Sequence, residues 1–172
     1  ARRVSALVRR PESLAQCRAL GIADEVTLDL SEAVAGADLI VLCSPISGMA
    51  GLAKRTLPDL KPGAIITDVG STKQQLVAKL TPLCAGAGAR FVGSHPMTGS
   101  DQAGPSAARA GLFDGTVCVV TPIRDTDADA LATVNDFWTG LGSRPIVMPA
   151  DTHDRLVARC SHLPHLLASA LA

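Results

Sequence analysis

Two short segments hold the residues best suited to acid–base chemistry. Gly93-Ser94-His95-Pro96-Met97-Thr98-Gly99-Ser100 carries one histidine, and His153-Asp154 followed by Ser161-His162-Leu163-Pro164-His165 carries the other three. A histidine preceded by Ser, followed by Pro and set beside a long Gly-bearing loop opens onto a cleft more often than it is buried in a core. Its near-neutral pKa lets it accept a proton from a hydroxyl, as oxidation of an alcohol by hydride transfer requires. Ser71, at the end of the preceding strand, is a candidate to orient His95. Neither a metal site nor a hydrolase fits as well. His162 and His165 flank Pro164 without a cysteine motif or carboxylate cluster, and no G-x-S-x-G is present. Asp154 beside His153 reads as a helix cap or a surface pair.

The elements that would carry these residues alternate. Strands are expected at 4–8, 25–28, 37–43, 64–69, 90–93, 116–121 and 145–148. Helices are expected at 11–20 with Gly21 as terminator, at 31–34 with Ser31 as cap, from the 44–48 turn to 57, at 72–83, around Phe137 and Trp138, and from 152 to 172. Strands alternating with helices predict an α/β fold with a mostly parallel sheet. The 94–111 loop breaks the rhythm, and loops of that length are often functional. In an open α/β sheet, ligands bind beyond the carboxyl ends of the strands. Those ends carry Arg9-Arg10, Ser44-Pro45, Gly70-Ser71 and Ser94-His95.

Arg9 and Arg10 stand where a dinucleotide fold meets the adenosine ribose. An acidic residue there would bond the ribose hydroxyls, whereas a guanidinium suits a 2′-phosphate, so NADP is expected over NAD. The G-x-G-x-x-G turn is absent, and the chain is expected to start mid-domain and to stop mid-helix. Basic and acidic residues balance at sixteen each, which gives no footprint for nucleic acid, and a small molecule is the expected partner. Five widely spaced cysteines without a C-x-x-C suit a reducing, cytoplasmic setting. The 37–43 apolar run is too short to span a membrane.

These pieces together resemble the prephenate and arogenate dehydrogenases of tyrosine biosynthesis. The resemblance runs through Arg10-Pro11-Glu12-Ser13, Ala37-Asp38-Leu39-Ile40-Val41-Leu42-Cys43-Ser44-Pro45, Asp68-Val69-Gly70-Ser71-Thr72-Lys73, Leu112-Phe113 and the two histidine segments, the last two being specific in order and spacing. It implies a Rossmann-like NADP-binding domain over 1–149 with its first strand missing, and the start of an α-helical substrate and dimerisation domain over 150–172. It implies NADP-dependent oxidative decarboxylation of a cyclohexadienyl substrate, prephenate or arogenate. His95 and Ser71 would be catalytic, and Arg9, Arg10, Ser44, Pro45, Gly70 and Ser71 would bind cofactor. Ser100, Asp101, Ser161, His162 and His165 would line the substrate pocket. No metal is implied, NAD remains an option, and the full-length protein would be a homodimer, with the 172 residues inactive alone. Two other readings stand beside it: another NADP-dependent β-hydroxyacid-type dehydrogenase or imine reductase, and a nucleotide-binding module without turnover.

Overall fold

A computed structural model describes residues 3–99 and 104–171. The chain runs β1 (Ser5–Leu7), α1 (Pro11–Leu20), β2 (Glu25–Thr27), α2 (Leu30–Val34), β3 (Leu39–Leu42), α3 (Ile46–Thr56), β4 (Ile65–Asp68), α4 (Gln74–Ala85), β5 (Arg90–Phe91) and β6 (Gly93–Pro96). It continues through β7 (Val117–Thr121), α5 (Ala128–Gly140), β8 (Arg144–Val147), α6 (Ala150–Val157) and α7 (Leu163–Leu171). This is the expected α/β alternation.

Strand pairing falls into three hydrogen-bonded groups, β1-β2, β3-β4-β5 and β6-β7-β8. Every pairing is parallel except β6 with β7. Among the described residues no pairing joins β1 to β3. At β4 all four residues are buried. Successive strand side chains point to opposite faces: Ile66 joins Leu42, Met49 and Leu80 under α3 and α4, while Ile65 joins Val120, Val134 and Trp138 under α5. β4 is thus covered on both faces, although Thr67 and Asp68 interrupt its apolar residues.

Four sequence expectations need correction. The strand expected at 90–93 is two: β5 ends at Phe91, and β6 runs Gly93–Pro96 against β7 in antiparallel register, His95 opposite Val119. His95 therefore lies within a strand and not in the loop after one. The cap of α2 is Asp29, whose carboxylate accepts the Glu32 N–H at 3.0 Å, while Ser31 lies inside the helix. The single helix expected from 152 to 172 is interrupted by a π turn at Ala158–His162 between α6 and α7. Pro164 has no N–H to donate, and its ring crowds the carbonyl four residues earlier, so the backbone widens just before it. Asp154 and His153 lie in the body of α6, and His153 is 1 % exposed, which rules out a surface pair.

Candidate active site

The site is built where β4 and β6 meet the N-terminus of α4 and the middle of α6. Asp68 closes β4, Gly70-Ser71 bends the chain and Lys73 precedes α4. Gly70 is required at the bend: a Cβ there would lie 2.9 Å from an Asp68 carboxylate oxygen and 3.1 Å from the Ile46 side chain. Its N–H donates to Asp68 Oδ2 at 2.8 Å.

Beneath the bend lies a buried charge pair. Lys73 and Asp68 are both fully buried, and the Lys73 ammonium donates to the Asp68 carboxylate and to the Ser94 carbonyl oxygen at 2.7 Å. The Ser94 N–H donates to Asp68 Oδ1 at 3.1 Å. Burial pushes the Asp68 carboxyl up and the Lys73 ammonium down, and the attraction between them works against both shifts. The Ser94 hydroxyl donates to the Asp68 carbonyl oxygen at 2.6 Å, lies 2.8 Å from the Thr67 hydroxyl and accepts the Trp138 indole N–H at 3.0 Å. Every partner is provided, so β6 is fixed one residue before His95.

His95 meets a second chain of contacts. Its Nδ1 is 2.9 Å from His153 Nε2, and His153 Nδ1 is 2.7 Å from Asp154 Oδ1. Asp154 also accepts the Lys73 N–H at 2.7 Å and the Gln74 N–H at 2.9 Å, so it caps α4 from about 80 residues away. Although burial raises the Asp154 carboxyl, these two N–H donors and His153 outweigh it and hold the group below the ordinary carboxylate value. His95 is pushed down to about 4, first by burial and then by its basic neighbours His153, Lys73 and His162, with Asp154 opposing. It is neutral at physiological pH and able to accept a proton.

The structure unites some of the expected site residues and not others. Arg9 and Arg10 are exposed at the end of β1, Arg10 at the uncapped N-terminus of α1. Pro45 precedes α3, whose N-terminus has no side-chain cap and no acidic residue in its first turn, while half-buried Ser44 sits just before it. Ser71 is exposed, and among the described residues it makes no hydrogen bond to His95; the partner it was expected to provide is His153. His162 is half-buried in the π turn, and His165 is exposed with Nδ1 2.8 Å from the Ser161 carbonyl oxygen. Ser100 and Asp101 lie outside the described residues. Among the described residues no cluster of three His, Cys, Asp or Glu stands close enough to hold a metal ion, and no helix is long and apolar enough to cross a membrane.

Sequence reasoning assigned no role to Lys73, Asp68 or Trp138, used Ser94 only as a neighbour of His95, and read Asp154 beside His153 as a helix cap or a surface pair, of which the cap is found, on α4. A lysine and an aspartate five apart across a Gly-Ser bend are the one local hint, because a buried strand end offers an acid no water.

Residues 2–147 match the family described as prephenate dehydrogenase, nucleotide-binding domain. The chain belongs to the prephenate dehydrogenase family. Among its relatives in this family is the cyclohexadienyl dehydrogenase of Zymomonas mobilis, 39 % identical over 153 residues, 89 % of this chain and 52 % of that one. The prephenate dehydrogenase of Lactococcus lactis is 37 % identical over 161 residues, 93 % of this chain and 43 % of its own. The chain thus spans about half the length of these curated relatives. Prephenate dehydrogenase from Aquifex aeolicus superposes with a TM-score of 0.91 at 32 % identity, covering 99 % of this chain and 61 % of that one. Arogenate dehydrogenase from Synechocystis gives 0.87 at 31 % identity, covering 97 % of this chain and 58 % of its own.

Proposed function

We propose that this chain carries the dinucleotide-binding half, over 1–149, and the start of the helical substrate domain, over 150–172, of a dehydrogenase that oxidatively decarboxylates prephenate or arogenate. The observation that carries the reading is His95, neutral, half-buried and held through His153 on the Asp154 carboxylate beside the β4 strand end. Such a group draws the proton from a ring hydroxyl as hydride departs. Loss of carbon dioxide then leaves an aromatic ring, so the protein need only polarise one hydroxyl and hold the ring in place.

The residues present fit a nicotinamide dinucleotide. β3 and β4 run parallel, so their carboxyl ends lie at one edge, and the uncapped N-termini of α1 and α3 present backbone N–H groups suited to phosphate oxygens. Arg9 and Arg10 would hold a 2′-phosphate, Ser44 and Pro45 would border the cofactor, and Gly70 and Ser71 would line its nicotinamide end. The bound dinucleotide supplies the hydride acceptor. A complex of the Aquifex aeolicus relative with hydroxyphenyl propionate and NAD+ supports a nicotinamide cofactor and an aromatic ligand for this family; NADP is preferred here on the strength of the two arginines. Ser161, His162 and His165 would face the substrate, and Ser100 and Asp101 belong to the same reading. Leu163, Leu166, Leu167 and Leu171 on α7 are exposed, an apolar face of the kind a homodimeric helical domain would cover.

A β-hydroxyacid-type dehydrogenase would need a free catalytic lysine. Lys73 is instead fully buried and committed to Asp68 and Ser94. The deciding experiment crosses prephenate and arogenate with NAD and NADP in the full-length protein, with His95→Asn as control. Turnover that falls at least 100-fold in the control is expected; a folded, NADP-binding protein that turns over no pair sinks the reading.

A further inference from the structure

The contacts around His95 assign its protons. Asp154 accepts backbone N–H groups from Lys73 and Gln74, so it is an acceptor throughout, and His153 must meet it with a proton on Nδ1. A neutral His153 then has a bare Nε2, which accepts from His95 Nδ1 across 2.9 Å. Among the described residues His95 Nε2 has no hydrogen-bond partner. Each link follows from the one before it.

We propose that His153 and Asp154 are positioning residues for His95: they fix it as the Nδ1–H tautomer, leave Nε2 as the acceptor for the substrate proton, and take the displaced Nδ1 proton. The proposal rests on the dehydrogenase reading for its substrate. The step balances without a further reactant. The hydroxyl proton arrives at His95 Nε2, and the Nδ1 proton crosses to His153 Nε2. His95 is then neutral again in its other tautomer, and His153 is an imidazolium against the Asp154 carboxylate, 2.7 Å away. The same logic fixes the histidine tautomer in serine proteases, where converting the carboxylate to an amide costs about 10⁴ in rate.

The surroundings explain why a second base is needed. His95 faces Lys73 from the start of α4, His153 and Asp154 from α6, His162 from the π turn and Cys118 from β7, with Asp68 behind Lys73. Burial and three basic neighbours disfavour a lasting positive charge on His95, and Asp154 alone opposes them. His153 touches that carboxylate directly, at 2.7 Å, whereas His95 reaches it only through the His153 ring.

Two substitutions separate holding from accepting. His153→Gln can place an amide oxygen near the former Nε2 and still accept from His95, but it takes no proton; His153→Leu does neither. In the full-length protein, ¹⁵N imidazole spectra of the unsubstituted enzyme, assigned with His95→Asn, are expected to show His95 and His153 both protonated on Nδ1. Both variants should lose about 100-fold or more in kcat with KM within threefold. His95 protonated on Nε2, or His153→Gln within threefold of the parent kcat, overturns the proposal. The spectra need no turnover and no folded His153 variant. An unsubstituted enzyme that shows the expected tautomers but oxidises no ring substrate overturns the dehydrogenase reading and the proton transfer with it, and leaves the hydrogen-bond chain established.

Discussion

Lys73→Met tests whether the buried charge pair holds the site together. Methionine keeps the unbranched length and the apolar stem but removes the ammonium. The Asp68 carboxylate, fully buried, would retain only the Gly70 and Ser94 N–H donors at 2.8 and 3.1 Å, and the Ser94 carbonyl oxygen would lose its 2.7 Å donor. Breaking one side of a buried pair costs about 3–5 kcal/mol, a large part of the ~5–15 kcal/mol that holds a domain folded. At about 2–4 °C per kcal/mol for a domain of this size, Tm should fall by about 6–20 °C.

The loss should depend on pH in a defined direction. Without Lys73 the folded Asp68 pKa rises further above its unfolded value, so the folded state binds the extra proton. The variant should therefore be most destabilised at neutral and alkaline pH, and should recover as pH falls through the raised folded value. Urea unfolding can be followed by the fluorescence of Trp138, the chain's one tryptophan, which donates to Ser94. The double variant Asp68→Asn/Lys73→Met should regain at least half of the loss, because no charge is then left buried. Lys61→Met, removing an exposed pair with Asp38, is the control and should be unchanged within error. A Lys73→Met loss below about 1 kcal/mol, or a double variant no better than the single, would refute the assignment of the pair as the anchor of β4 to β6.

Other consequences are open to direct measurement. Gly93→Ala would set a Cβ 2.6 Å from the Thr121 hydroxyl and 3.0 Å from Val77, and should cost about 1–3 kcal/mol in urea unfolding. Since His95 is pushed down to about 4, kcat/KM for the proposed reaction should hold its plateau through pH 6 and fall only as pH drops towards that value, whereas an unperturbed histidine would bend the profile near 6.5. The same depression makes the unfolded chain take the proton first, so the stability due to neutral His95 is complete above about 6.5 and lost as pH falls from there towards 4. Arg9→Asp/Arg10→Asp should raise KM for NADP at least tenfold more than KM for NAD; equal effects on both would remove the arginines from the 2′-phosphate site.

The order of elements was legible along the chain because its signals are local. Pro11 and Gly21 bracket α1, and the glycine bend after Asp68 marks the end of β4. His95 stood out for the same reason, from its Ser and Pro neighbours and the long loop beyond. What tertiary structure alone decided is which groups meet. Asp154 caps a helix that begins 80 residues earlier, and His153, 58 residues from His95, takes the place that proximity to the sheet edge had suggested for Ser71. Burial was barely legible: the spacing of Asp68 and Lys73 across the Gly-Ser bend hints at a pair, but only packing of β4, β6 and α4 removes water from both together. Periodicity and turn chemistry report how a segment folds on itself. Hydrogen bonds between side chains far apart in sequence, and the desolvation that sets the His95 proton affinity, exist only once the elements have closed around them.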